Sequence, residues 1–291
     1  MGSSPRAVCV CSDPLICRVV DDALVAAGMA VDHFRDLPGD LDAALIVADR
    51  GARVGAGSAL QAARAPVVVV GDDLDDDGLI ALMLDAPISH HVGDPSDRDL
   101  FITSEKLISG DLFGLEKYLA ADAGIGERVI ATDAEKRAAI AEVCAWAEAI
   151  GARTPIVHRL ASVADELLMN ALHDAPRESR PSIGEGVQQR AVLRWGRDER
   201  TLAISVTDTF GALRQRDVIG HVRRARDERG RPETDEHGAG LGLYLVLANV
   251  ASLIVNVDPG SRTEVVCLFD LAPPARRAVE SGVRSLHVFG S

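Results

Sequence analysis

Glu166-Leu-Leu-Met-Asn170-Ala171, Asp208-Thr-Phe-Gly211 and Gly238-Ala-Gly-Leu-Gly-Leu243 follow one another in the second half of the chain. Their reading decides the fold of that half. The first segment sets a carboxylate and an amide four residues apart, so on a helix both project from one face. The second places a carboxylate at the end of the apolar run Leu202-Ala-Ile-Ser-Val206. The third is an alternating-glycine loop running into an apolar helix. Glycines admit close backbone approach, and the amides and dipole of a helix start favour phosphate. A triphosphate needs its charge neutralised, usually through Mg²⁺, which prefers oxygen ligands. Asn170 offers one neutral oxygen, and Glu166, one turn earlier, offers a carboxylate of the kind a general base requires.

The flanking sequence supplies the scaffold. Thr132-Asp-Ala-Glu135 is a capping box opening a helix whose Ile140, Val143, Cys144, Ala147 and Ile150 form one stripe. Thr154-Pro155 starts a second helix, with Thr154 read as the cap, and this helix carries Glu166 and Asn170 and stops before Pro176. Arg190 to Trp195 and Thr201 to Thr207 alternate as a hairpin, as do Leu253 to Val257 and Thr263 to Leu271 around Asp258-Pro-Gly260. Helices grouped with antiparallel hairpins predict an α+β two-layer sandwich.

In order and spacing these segments resemble the nucleotide-binding boxes of the GHKL ATPases, the superfamily of gyrase, histidine kinases, anti-sigma kinases and a class of heat-shock chaperones. The resemblance spans Asp133 to Leu271, about half the chain. It implies ATP and Mg²⁺ as cofactors and a Bergerat-type sandwich. It implies that Asn170 ligates the metal and that Glu166 polarises a water or a substrate hydroxyl. Asp208 would accept a hydrogen bond from the adenine amino group. Gly211, Gly238, Gly240, Leu241, Gly242 and Leu243 would form the glycine boxes, and Thr263 would close the adenine pocket. The chain departs from the family's Asp-x-Gly-x-Gly: Phe210 and Ala212 stand at the two glycine positions and Gly211 is out of register. Asp174 falls where some relatives carry a histidine. Arg214, Arg216, Arg223, Arg224, Arg226, Arg229 and Arg231 lie between the boxes, either as a lid contacting the γ-phosphate or as the solvated face of a lid helix.

The first hundred residues read differently. Ala7 to Cys11, Met29 to Phe34, Ala43 to Ala48, Pro66 to Val70 and Ile88 to Val92 are strands. They alternate with helices over Leu15 to Ala27 and from about Asp77 to Asp85. Continuous apolar strands between helices predict a parallel, doubly wound α/β sheet. This half resembles the receiver domain of response regulators. The positions matching the receiver's phosphorylation site read Ser12-Asp13, Asp49, Gly71 and Asp94-Pro95. The hydroxyl expected after the fourth strand is replaced by Gly71, and the lysine by Asp94, which would repel a phosphoryl group. The expectation is a pseudo-receiver used for protein contacts. The acidic run Asp72, Asp73, Asp75, Asp76 and Asp77 reads as a solvated loop and helix cap. The boundaries are a receiver-like domain over 1–98, an apolar connector with a helix over 99–126, and an ATP-binding domain with a C-terminal tail over 127–291.

Composition excludes several classes. A net charge of −13 speaks against non-specific nucleic-acid or anionic-membrane binding. No apolar run reaches spanning length and no leader opens the chain, so a cytoplasmic protein is expected. Three of the five cysteines sit in apolar stretches that read as core. The Cys9-Val-Cys11 pair reads as pointing to opposite strand faces, poor geometry for zinc. No dimerising phosphoacceptor helix is recognisable, and His158 shares a helix with Glu166. The expected function is that of a signalling protein acting on a protein partner, with a homodimer among the arrangements considered. Two classes stay open: an ATPase or protein kinase of the GHKL type, and a non-catalytic ATP-dependent scaffold.

Overall fold

The computed structural model describes residues 4–35, 42–49, 51, 60, 63–71, 78, 81–83, 88–94, 98–175, 190–214, 217–220, 223, 239–271 and 285–290. The chain divides into two compact units, Met1–Leu112 with Arg284–Phe289, and Phe113–Val283 with Gly290–Ser291.

In the first unit β1 (Arg6–Val10), β2 (Ala30–His33), β3 (Leu45–Asp49), β4 (Val67–Val70) and β5 (Ile88–Val92) form a parallel sheet in the order β2-β1-β3-β4-β5. That is a doubly wound order. β3 and β4 are buried along their whole length, as the unbroken apolar runs predict for strands covered on both faces. Helix α1 (Pro14–Ala26) begins where Asp13 accepts the Leu15 amide at 2.7 Å with proline in the first turn. Val20 and Leu24 pack it onto Ala7, Cys9, Leu45, Val47, Val68, Val70 and Val92.

Two segments are placed differently from the sequence reading. The stretch read as a connector opens with helix α2 (Asp99–Ser109), which belongs to this unit, because Leu100, Leu107 and Ile108 continue the same core against α1. It ends at Gly110, whose φ of 70° is the left-handed cap glycine supplies cheaply. The tail read as part of the second domain returns as β11 (Ser285–Phe289), antiparallel to β5. It is buried throughout. Ser285 Oγ accepts the Gly93 amide at 3.2 Å, and His287 Nε2 lies 3.2 Å from Asp99 Oδ2. Lys106 is buried with Nζ 3.9 Å from the Phe289 ring centroid.

The second unit is an antiparallel sheet of β6 (Ile125–Ile130), β7 (Ala191–Arg197), β8 (Thr201–Asp208), β10 (Arg262–Asp270) and β9 (Ser252–Asp258), in the order β6-β7-β8-β10-β9. Three helices pack beside one another against it: α3 (Asp133–Ala149), α4 (Thr154–Met169) in the middle and α5 (Ala239–Asn249). The capping box is present: the Thr132 hydroxyl accepts the Glu135 amide at 3.2 Å and Glu135 returns to the Thr132 amide at 3.0 Å. Thr154 is inside α4 rather than its cap, which is Arg153 without a side-chain hydrogen bond. A turn of 3-10 helix over Leu115–Tyr118, the remainder of the expected connector, packs Leu115, Tyr118 and Leu119 on β7 and β8. The Phe113 ring lies 3.7 Å from the Arg262 guanidinium.

Candidate functional site

Helix α4 buries Ile156, Val157, Leu160, Val163, Ala164, Leu167 and Leu168. This stripe recurs every three or four residues and turns Glu166 and Asn170 to the half-buried margin of the helix. At Asn170 the helix widens into a π-helical turn, Asn170–Asp174, in which the Ala175 amide reaches the Asn170 carbonyl. Such local widening is frequent at functional positions because it re-aims side chains. The turn packs on β8, bringing Asn170's segment beside the strand that ends at Asp208. Next to it, His173 Nε2 lies 3.2 Å from Asp133 Oδ1.

Helix α5 crosses α4 at Gly242. A Cβ at Gly242 would overlap the carboxylate of Glu166. The first and third sequence segments, far apart in the chain, therefore touch, and a larger residue at Gly242 would have to displace the Glu166 carboxylate. Leu243 is buried beside it. Gly240 and Leu241 lie in the opening turn of α5, and Gly238 lies outside the described residues.

Asp208 closes β8 with 6% exposure, and its Oδ1 accepts the amides of Phe210 at 2.8 Å and Gly211 at 3.4 Å. Burial pushes its pKa above the ordinary carboxylate value, although those two amides and Thr263 pull the other way. Thr263 stands opposite Asp208 in the β8–β10 register and is 1% exposed. Its hydroxyl is near enough to favour the carboxylate, yet Oγ1 lacks hydrogen-bond geometry to any described group. Asp208 is thus a buried strand-end carboxylate whose hydrogen bonds only partly offset its desolvation. Phe210 is buried. Gly211 has φ 59°, a Cβ there would strike the Asp258 carbonyl, and its own carbonyl accepts the Gly260 amide at 3.1 Å. This glycine thus serves the β9–β10 turn. Arg214 and Arg223 are exposed, whereas Arg216, Arg224, Arg226, Arg229 and Arg231 lie outside the described residues.

The receiver-like positions form a second cluster, within the first unit. Asp49 is 2% exposed, and its Oδ2 accepts the Ser12 amide, the Ser12 hydroxyl at 2.8 Å and the Asp13 amide at 3.0 Å. A Cβ at Gly51 would collide with that Ser12 hydroxyl. The Asp13 carboxylate is occupied in capping α1. Gly71 donates its amide to the Val92 carbonyl at 3.0 Å, and its own carbonyl faces His91 Nε2 at 3.0 Å. Asp94 is exposed beyond β5. The acidic run 72–77 lies outside the described residues.

Sequence reasoning missed one cluster and misread its signal. Cys9 and Cys11 do not face opposite sides: their sulfurs stand 3.2 Å apart, because residues two apart on a strand share a face. Hydrogen bonding to Cys9, with burial, holds the Cys11 thiol far above its ordinary value, and burial pushes Cys17 up to about 11. Neither is a nucleophile at neutral pH.

Comparison with protein-family models and with curated proteins gives no match. No helix among the described residues is long and apolar enough to cross a membrane.

Proposed function

We propose that the second unit binds Mg²⁺·ATP in the GHKL manner, in a cytoplasmic signalling protein that phosphorylates or otherwise regulates a protein partner. The observation that carries this reading is the seating of Gly242 on the Glu166 carboxylate. It sets the amide-rich start of α5 against the helix bearing Glu166 and Asn170, the neighbourhood a triphosphate and its cation require. Asp208 and Thr263 supply the adenine end. The carboxylate accepts from the exocyclic amine, and a base without that donor would leave a buried acid unpaired. Asn170 would hold Mg²⁺ through its amide oxygen, and the ion would offset the charge of the triphosphate. Glu166 takes the proton of an attacking water or partner hydroxyl.

A second reading, a nucleotide-dependent scaffold without turnover, is favoured by the loop after Asp208, where Phe210 is buried and Gly211 is fastened to the β9–β10 turn. Under both readings the first unit serves as a pseudo-receiver for protein contacts, since Asp49 is already capped from the β1–α1 loop. Calorimetry with ATP and GTP, with and without Mg²⁺, tests the binding step. ATP should bind in a Mg²⁺-dependent way, with GTP at least about 10-fold weaker. Equal affinity for both nucleotides, or no binding, overturns the reading. Product analysis with labelled ATP then separates the classes: turnover or a labelled partner makes it an enzyme, and intact bound ATP makes it a switch.

A further inference from the structure

Cys9 lies near the end of β1, Cys11 just beyond it, and Cys17 in the first turn of α1. Their three sulfurs all lie within 4.8 Å of one another. The strand period brings Cys9 and Cys11 to one face, and the Asp13-Pro14 start of α1 folds Cys17 back over them, with its amide on the Asp13 carbonyl at 2.9 Å and Sγ 3.6 Å from the Cys11 carbonyl. On the other side of Cys9, the ligand atoms of Asp21 and His33 also lie within 4.8 Å of its sulfur and of each other. His33 Nε2 is 3.0 Å from Asp21 Oδ2, while Asp21 Oδ1 is buried without a hydrogen-bond partner.

The geometry points to a site for a thiophilic d10 metal ion, Zn²⁺ or Cu⁺, held by the sulfurs of Cys9, Cys11 and Cys17, with the Asp21–His33 pair beside Cys9 as its supporting shell. Sulfurs arranged around one ion at about 2.3 Å stand about 3.8–4.0 Å apart, so this cluster needs only small side-chain adjustments to close. Soft thiolates select such ions over Mg²⁺ or Ca²⁺, which prefer oxygen. Core filling accounts for Cys9 and for Cys11 packed against it, but not for Cys17, which lies outside that core and, like Cys11, is partly exposed. The site is separate from the proposed nucleotide site, and it lies next to the loop whose Ser12 and Asp13 cap Asp49.

The test uses the full chain, reduced and stripped of metal with a chelator. Titration with Cd²⁺ should give an ultraviolet sulfur-to-metal band saturating at one ion per chain, displaced by Zn²⁺, and each ion should raise the melting temperature. Cu⁺ delivered under anaerobic conditions with a competing chromophoric chelator tells whether it or Zn²⁺ is preferred. Cys11→Ser and Cys17→Ser, both at half-exposed positions, should keep the far-ultraviolet spectrum, lose the band and weaken binding at least 10-fold. Cys144→Ser should change nothing. A folded parent without the band, or a band that survives both serine variants, overturns the site. So does mass spectrometry that finds a disulfide among these three cysteines in the protein as purified.

Discussion

Each unit ends a buried strand in an aspartate, and the two are treated in opposite ways. Asp49 is satisfied from within: Ser12 and Asp13 deliver three hydrogen bonds to one oxygen, and the loop that would have to open for chemistry is the loop that holds it. Asp208 receives two amides, with Thr263 beside it, and stays raised by burial all the same. The first arrangement stabilises its own fold. The second keeps a buried carboxyl whose hydrogen bonds do not fully offset its desolvation. Position at a strand end therefore does not by itself set the state of a carboxylate; the number and source of its hydrogen bonds do.

Asp208→Asn should separate those roles most widely. Under the proposed adenine contact it should weaken ATP by about 1.5–3 kcal/mol, roughly 10- to 100-fold by calorimetry. The sign for stability is the reverse. A carboxyl whose folded pKa lies above its unfolded value favours folding at low pH, and that benefit is lost as pH rises through the folded pKa. At neutral pH the buried charge is a cost, so the asparagine variant should melt no lower than the parent without nucleotide. A clear drop in melting temperature together with unchanged ATP affinity would make Asp208 a structural acid like Asp49, and the contrast would collapse.

Gly242→Ala probes the same site through packing. The added methyl overlaps Glu166, whose flexible carboxylate must swing aside, so the cost falls at or below the roughly 1 kcal/mol lower end of core overpacking. Glu166→Ala in the same chain removes the atoms it strikes, so the pair should be coupled, with the double variant regaining most of the lost stability. Additive losses in denaturant unfolding would show that α4 and α5 do not meet at these residues.

That contact also marks where sequence reading stops. Strands β1, β3 and β4 were legible because each is a nearly continuous apolar run, and the Thr132 cap because its partners are three residues apart. Glu166, Asn170, Asp208 and the glycine loop were legible as residue types in order. The seating of Gly242 on Glu166 was not, since it depends on how two helices cross. Nor was the role of Gly211, which answers to a turn about 50 residues later. Two strands escaped notice for opposite reasons. β6 is polar and largely exposed, pinned at Gly126 by the Trp195 ring. β11 is short and buries Ser285 and His287, whose partners Gly93 and Asp99 lie far away in sequence.

Asp49→Ala should sharpen the contrast from the other side. It strips the acceptor from Ser12 and Asp13 at a partly exposed loop and should cost about 1 kcal/mol of stability, leaving ATP affinity unchanged. Acetyl phosphate treatment of the parent should leave Asp49 unmodified by mass spectrometry. Stoichiometric phosphorylation of Asp49 with a shift in melting temperature would show that the Ser12–Asp13 cap opens and that the first unit works as a receiver.

The smallest expected effect uses the same physics on a base. His90 is fully buried, and burial, then His287 and Lys106, drive its pKa well below 6.5. Its neighbours are the rings of His287 and Phe289, with Lys106 over Phe289 and Asp99 on His287. A base whose folded pKa is depressed favours folding above its unfolded pKa, and this contribution is lost as pH falls below about 6.5. Asp99 does not mask the change in that range. Burial pushes it up, but His287, Ser285 and Lys106 more than offset this and hold it below its ordinary value, so its contribution is lost only in stronger acid. One such histidine changes stability by less than about 1 kcal/mol between pH 7 and pH 6. The parent should therefore unfold at slightly lower denaturant concentration at pH 6. His90→Leu, which cannot charge, should flatten that slope while leaving ATP affinity intact. An unaltered slope in His90→Leu would mean that the β5–β11 corner already accepts the proton, and that burial there is less complete than at Asp208.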